Sequence, residues 1–195
     1  MRIYLSRHSA TTGNLKKQYI GSTDEPLAPE GILLARQAAV NMPKVGICYV
    51  SPMLRCRETA EILFPNAEKR LVPDMKETDF GDFERKTYEE IKDDPAYQKW
   101  LDERGAPPNG ESWQHFYDRC TAAFLRIFGE AKGEGLDEIA FAVHGGVIMA
   151  VMAAFARPQK EFYEYLLPNC GCYSVDADGD GLLTVADRIV PEGQE

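Results

Sequence analysis

Hydrophobic and polar positions along the chain switch repeatedly between a strand pattern and a helix pattern. Residues 2–6 are a short run rich in bulky apolar side chains and predict a strand. Residues 29–41, "PEGILLARQAAVN", predict a helix, with Pro29 at its start and Pro43 beyond its end. Residues 46–50, "GICYV", predict a second buried strand, and "SPMLRCRETAEILF" continues as a turn and a helix. From Ser112 a long helix is predicted, with Phe116, Cys120, Ala123, Phe124, Ile127 and Phe128 on one face. Residues 139–143 are fully apolar, as central parallel strands are, and residues 146–156 predict the helix that follows. Two short strands near 172–176 and 182–186 predict a closing hairpin at or near the sheet edge. This alternation argues for an α/β fold, a three-layer αβα sandwich with a mostly parallel central sheet. The whole chain, 1–195, is expected to form one domain. Residues 79–111 are polar, aromatic and punctuated by Pro and Gly. They are expected to form an excursion over the active-site edge of the sheet, with short helices at "TYEEIKDD" and "PAYQKWLDE".

Charge narrows the partners. With 22 basic and 31 acidic residues the net charge is −9, so neither nucleic acid nor an anionic membrane is an expected partner. The uncharged stretch from Ile139 to Ala156 imitates a membrane span, but His144-Gly145-Gly146 at its centre suits a strand, a tight turn and a buried helix. The apolar run Ile3–Leu5 is too short for the core of a signal peptide. Cys48, Cys56, Cys120, Cys170 and Cys172 show no zinc spacing and predict buried free thiols in a reducing cytoplasm.

The candidate chemistry lies where predicted strands end. Arg7-His8 follows the first strand, Ser51 to Arg55 the second, and His144-Gly145-Gly146 the 139–143 strand. A parallel sheet delivers all of these to one edge. Two arginines and two histidines gathered there make an electropositive pocket whose natural guest is a phosphoryl group, because the guanidinium fork matches phosphate oxygens in pairs. Histidine is a competent phosphate acceptor, and nearby arginines keep it neutral. The chemistry requires no metal and no cofactor, and no Walker-type loop is present. A carboxyl with a raised pKa must protonate the leaving oxygen; "MKETDFGDFE" offers Glu77, Asp79, Asp82 and Glu84.

Six segments, in order, resemble those of the histidine phosphatase superfamily, with its phosphoglycerate-mutase-like fold. They are "RHSATTGN", "GSTDEPLAPEG", "SPMLRCRETA", "KETDFGDFERKTYEEI", "PPNGES" and "VHGGV". The resemblance covers nearly the whole chain. It implies that His8 is the phosphorylated nucleophile and that Arg7, Arg55 and His144 clamp the phosphoryl oxygens. It implies that Glu77 first donates and then accepts a proton, and that Asn14, Gly21 and Gly145 line the phosphate site. The implied activity is metal-independent hydrolysis of a small phosphorylated metabolite; a second copy of the chain is the other partner considered. The compact pattern is most similar to the α-ribazole phosphatase branch. Mutase-type phosphoryl transfer and an inactive phosphate binder are the alternatives, the latter because Ser9 and Ala10 stand where the signature has glycine and, often, glutamate. Arg85 likewise replaces a glycine.

Three further expectations concern residues outside this set. His115 is expected to be structural or at the surface, and Tyr97 and Trp100 to pack the excursion, with lining of the substrate mouth as their alternative. The acidic run "DADGDGLLTVAD" resembles a calcium loop, but its strand-like flanks and Asp-Gly pairs predict a hairpin turn.

Overall fold

The computed structural model describes residues 1–103 and 105–192; Arg104, inside the expected excursion, and residues 193–195, inside the expected domain, lie outside the described residues. The chain runs β1 (Arg2–Arg7), α1 (Thr12–Leu15), α2 (Pro29–Ala39), β2 (Ile47–Val50), α3 (Leu54–Leu63), β3 (Glu68–Leu71), α4 (Tyr88–Ile91), α5 (Pro95–Glu103), α6 (Trp113–Gly133), β4 (Glu138–Val143), α7 (Gly145–Phe155), β5 (Cys172–Ala177) and β6 (Leu183–Ile189). Single 3₁₀ turns lie at Pro73–Met75, Gly81–Phe83 and Phe162–Tyr165.

The six strands form one sheet in the order β3-β2-β4-β1-β5-β6. Strands β1 to β4 are mutually parallel, while β5 runs antiparallel to β1 and β6 antiparallel to β5. The expected α/β sandwich with a mostly parallel sheet and a closing hairpin is thus the observed fold. No hydrophobic signal announces β3. Its sequence Glu-Lys-Arg-Leu lies at the sheet edge, and Arg70 bridges Glu68 at 2.8 Å and Glu134 at 2.7 Å. Charged side chains on an edge strand are a protection against edge pairing and hide the strand from pattern reading.

Strand β4 shows how the layers are built. Its successive side chains point to opposite faces. Ile139, Phe141 and Val143 join one core with Phe124 and Ile127 of α6 and Ile148 and Met152 of α7. Ala140 and Ala142 join the other, against Ala35 of α2 and Ala60 and Leu63 of α3. Large residues fill one layer, and alanines let α2 and α3 approach closely on the other. A third, separate cluster of Phe83, Ile91 and Tyr97, backed by Tyr19, Phe80 and Trp100, holds the 79–111 segment together. Among the described residues no helix is long and apolar enough to cross a membrane. The uncharged 139–156 stretch divides into β4 and α7. All five cysteines are buried free thiols.

The acidic run after β5 is a hairpin turn. One oxygen of Asp178 accepts the N–H groups of Asp180 at 2.9 Å and Leu182 at 3.0 Å, and Gly181 takes φ +84°. Its carboxylate is spent on its own backbone, and strands flank it where a calcium loop has helices.

Candidate active site

Register explains why two histidines meet. Strands β1 and β4 pair in parallel with Arg7 opposite Val143, so the residues that follow, His8 and His144, leave the sheet side by side. The His8 N–H donates to Val143 O at 2.8 Å, and the two rings lie edge to face with centroids 5.2 Å apart. Strand β2 ends at the same level: the Ser51 N–H donates to Ala142 O, and Ser51 Oγ lies 2.7 Å from His144 Nε2. Ser51 opens a recognised segment, yet its contact with His144 could not be read from spacing alone.

His8 Nδ1 lies 2.7 Å from Ser9 O. A carbonyl oxygen can only accept, so Nδ1 carries the proton and Nε2 keeps its lone pair. Burial, and then the charges of Arg55 and Arg7, push the His8 pKa well below 6.5. His144 is shifted the same way, by burial and then by Arg55. His8 is therefore a neutral imidazole with a free nitrogen.

Both arginines are anchored through main-chain carbonyls, which orient each cation without neutralising it. Arg7 Nη1 donates to Leu167 O at 2.6 Å. Arg55, fully buried in the first turn of α3, donates from Nη1 to Thr23 O and from Nη2 to Gly21 O, both at 2.8 Å. The Nε of each arginine is buried without a hydrogen-bond partner. Such unpaired donors are costly in a folded interior, and on a cation they are free to serve an anion.

Glu77 arrives from β3, the strand invisible in the sequence, through the turn at Pro73–Met75. Its Oε2 accepts the Gly146 N–H at 3.0 Å and its Oε1 accepts the Thr78 N–H at 3.0 Å. Burial raises its pKa above 4.5, against the pull of those two N–H groups and of Arg55 and Arg7. Asp79 is differently placed: it accepts from Ser22 Oγ at 2.9 Å and from Gly81 N at 2.8 Å, and it lines a second cleft rather than the cavity that holds His8. Glu84 is a loop organiser, accepting the N–H groups of Gly21, Ser22, Thr23 and Phe80.

Asn14 Oδ1 accepts the Thr11 N–H at 3.1 Å, which leaves its Nδ2 donors for the cavity that Asn14 lines. Gly145 opens α7 and lines the same cavity. Gly21 does not line it. Its N–H is given to Glu84 and its carbonyl to Arg55, so it fixes an arginine and offers no N–H to an anion. A Cβ at position 21 would lie 1.9 Å from Thr78 O, so only glycine lets the 21–23 loop pack there. Gly146, which holds Glu77, lies in the His144-Gly145-Gly146 segment at the end of β4, but nothing in the sequence pairs it with Glu77.

Ser9 is not in the left-handed region, where Arg85 is, at φ +63°. Its hydroxyl donates to Gly31 O at 2.6 Å and its N–H to Thr59 Oγ1 at 2.9 Å, so serine there is an unstrained, bonded residue. His115 is exposed and touches Glu111 Oε1 at 2.5 Å. Tyr97 packs, with its hydroxyl 2.6 Å from that of Tyr19. Trp100 packs beside it and also lines the cavity, so both expectations for that residue meet in one side chain.

The cavity measures about 340 Å³. Arg7, His8, Asn14 and Glu77 occupy its polar part, and Tyr19, Phe80, Trp100, Trp113, Phe116 and Phe162 supply an aromatic wall. No group of three or more metal-ligating side chains occurs among the described residues.

Known proteins resemble the chain in sequence and in fold. The chain is 32% identical over 176 residues to phosphoglycerate mutase-like protein 4 of Arabidopsis thaliana, covering 85% of this chain and 75% of that one. It is 25% identical over 182 residues to the adenosylcobalamin/alpha-ribazole phosphatase of Escherichia coli K12, covering 89% and 88%. The crystal structure of the alpha-ribazole phosphatase from Shigella flexneri has the same fold, with a TM-score of 0.82 at 21% identity over 98% of this chain and 96% of that one. The family model of the histidine phosphatase superfamily, branch 1, matches residues 3–187, from the first strand to the last, and the chain belongs to that family.

Proposed function

We propose that the chain hydrolyses small phosphomonoesters through a phosphohistidine on His8, with α-ribazole phosphate as the first substrate to try. One observation carries the reading: a neutral histidine with a free Nε2 sits beside half-buried Arg7 and fully buried Arg55, both held by carbonyls, and shares its cavity with the half-buried Glu77 carboxyl of raised pKa. His8 Nε2 forms the N–P bond as the bond from phosphorus to the leaving oxygen breaks. Glu77 gives its proton to that oxygen, which departs as a hydroxyl. A water then attacks phosphorus and loses its proton to the Glu77 carboxylate. The N–P bond breaks, its electron pair returns to His8, and inorganic phosphate leaves. Arg7, Arg55 and His144 hold the phosphoryl oxygens throughout, with Asn14 Nδ2 and the start of α7 beside them.

The wall supports an aromatic or apolar leaving group. Among the described residues that line the cavity, Arg7 is the one permanent cation, and Glu111 adds a second carboxylate to Glu77. A phosphorylated sugar acid would therefore set its own carboxylate against aromatic rings and Glu111, which argues against mutase chemistry. An α-ribazole ester would place a planar ring system against the aromatic wall. The buried free thiols fit a reducing compartment, and the cytoplasm is the setting proposed.

The test is hydrolysis of p-nitrophenyl phosphate and of a phosphomonoester panel containing α-ribazole phosphate and 3-phosphoglycerate, with EDTA present, alongside ³²P trapping on His8. His8→Ala should abolish both turnover and label. Full turnover by that variant would overturn the mechanism.

A further inference from the structure

Residues 76–80, which carry Glu77, have no regular secondary structure. One side chain holds that backbone from outside. Arg119 of α6 gives Nη1 to Asp74 O and Lys76 O, both at 2.8 Å, and Nη2 to Glu77 O at 3.1 Å. Its Nε reaches Glu111 Oε1 and its Nη2 reaches Glu111 Oε2, both at 2.7 Å. These bonds use all five N–H groups of the guanidinium. Glu111 closes the device through its own N–H, which donates to Asp79 O at 2.9 Å. The pair is largely buried, at 17% and 13% side-chain exposure, and the guanidinium carbon lies 4.9 Å from the centre of the Phe116 ring. Three guanidinium N–H groups thus hold the carbonyls of Asp74, Lys76 and Glu77 itself, and Glu111 grips the segment after it. Among the described residues, the Glu77 carboxyl itself is held by two backbone N–H groups.

We propose that Arg119 and Glu111 form a clamp that positions Glu77, acting through its backbone and touching neither the phosphoryl group nor the leaving group through Arg119. The inference rests on Glu77 being the proton donor. The clamp needs the planar fork of arginine, because a lysine ammonium cannot serve two carboxylate oxygens and three carbonyls at fixed angles.

A misplaced proton donor has a signature that simple loss of stability lacks. A nitrophenolate departs readily without a proton, whereas an alkoxide needs one. Loss of the clamp should therefore reduce kcat/KM on an alkyl ester far more than on an activated aryl ester.

The experiment compares kcat/KM for glycerol 2-phosphate and p-nitrophenyl phosphate in wild type, Arg119→Lys, Arg119→Met and Glu111→Gln. Glu77→Gln is the reference, and the Ki of inorganic phosphate reports the oxyanion site. Arg119→Lys and Arg119→Met should lose about 10²-fold on the alkyl ester and about threefold on the aryl ester, with Ki unchanged. Glu111→Gln, which keeps an acceptor oxygen, should fall between these and wild type. Equal losses on the two esters, or none, while Glu77→Gln discriminates between them, would overturn the clamp and leave the proton donor standing. No discrimination by Glu77→Gln would remove the proton donor, and the clamp with it. If Arg119→Met fails to fold by circular dichroism, Arg119→Lys and Glu111→Gln decide the question.

Discussion

The main-chain N–H of Gly146 holds Glu77 Oε2 at 3.0 Å, and a Cβ at position 146 would lie 2.3 Å from Glu77 Oε1 and 3.1 Å from Phe116 Cζ. The glycine binds the carboxyl and makes room for it. In Gly146→Ala the backbone donor survives, but the carboxyl must swing away, since it is the movable end of the contact. Alanine also favours the helix by up to ~1 kcal/mol. The variant should therefore fold with a melting temperature near wild type. It should lose about 10²-fold in kcat/KM on an alkyl phosphate. Steady-state kinetics beside a thermal melt check both halves.

Ser9 stands where its family has glycine. Its hydroxyl bonds Gly31 O at 2.6 Å, and its N–H bonds Thr59 Oγ1, which in turn donates to Arg55 O at 2.7 Å. The side chain ties the end of β1 to α2, and it does not line the cavity. Ser9→Ala should cost about 1 kcal/mol of stability, the net worth of a neutral buried bond. It should leave kcat/KM within about threefold of wild type. Urea unfolding and turnover of p-nitrophenyl phosphate separate the two effects. A collapse of activity at unchanged stability would make Ser9 part of the chemistry.

Arg85 takes φ +63°, with its N–H on Tyr19 O at 2.8 Å and its carbonyl on Gln18 Nε2 at 2.6 Å. Those two bonds hold a non-glycine residue in the left-handed region, at a cost of about 1–2 kcal/mol. Glycine would keep both bonds and remove the strain, while adding freedom to the unfolded chain. Arg85→Gly should raise stability by about 0.5–1 kcal/mol in urea unfolding, after that offset. A lower midpoint would show that the arginine side chain contributes more than its backbone costs.

The skeleton of this site could be read from the sequence because its parts obey local rules. Strands β1, β2 and β4 are apolar, they end in polar residues, and parallel pairing brings those ends together. What escaped depends on contacts without a local signature. Strand β3 is charged because it lies at an edge, so the route that delivers Glu77 was not visible, although the family motif identified the residue. Gly21 looked like an anion-binding backbone and instead serves Arg55 and Glu84, because a loop's N–H groups can be taken by a carboxylate far along the chain. Arg119 lies 42 residues from Glu77 on a helix, and helical periodicity marks only the face that is buried in the core.

The pH dependence of the first half-reaction follows from the two opposed environments. Attack requires neutral His8, whose pKa burial and the two arginines push well below 6.5, so its protonation limits the rate only in distinctly acidic solution. Release of the leaving group requires protonated Glu77, whose pKa burial raises above 4.5. The acid is competent below its folded pKa and is lost as pH rises through that value, so kcat/KM on an alkyl ester should decline on the alkaline side. The ester's own second ionisation, at about 6, also changes the rate with pH and must be separated. Glu77→Gln has no proton to lose, so its remaining alkaline profile should be that of the substrate alone, at a level about 10²-fold lower. On p-nitrophenyl phosphate, whose leaving group needs little protonation, the wild-type decline should be shallower. Profiles of both enzymes on both esters test this directly. An unchanged alkaline decline in Glu77→Gln, after correction for substrate ionisation, would assign the titrating acid to another group.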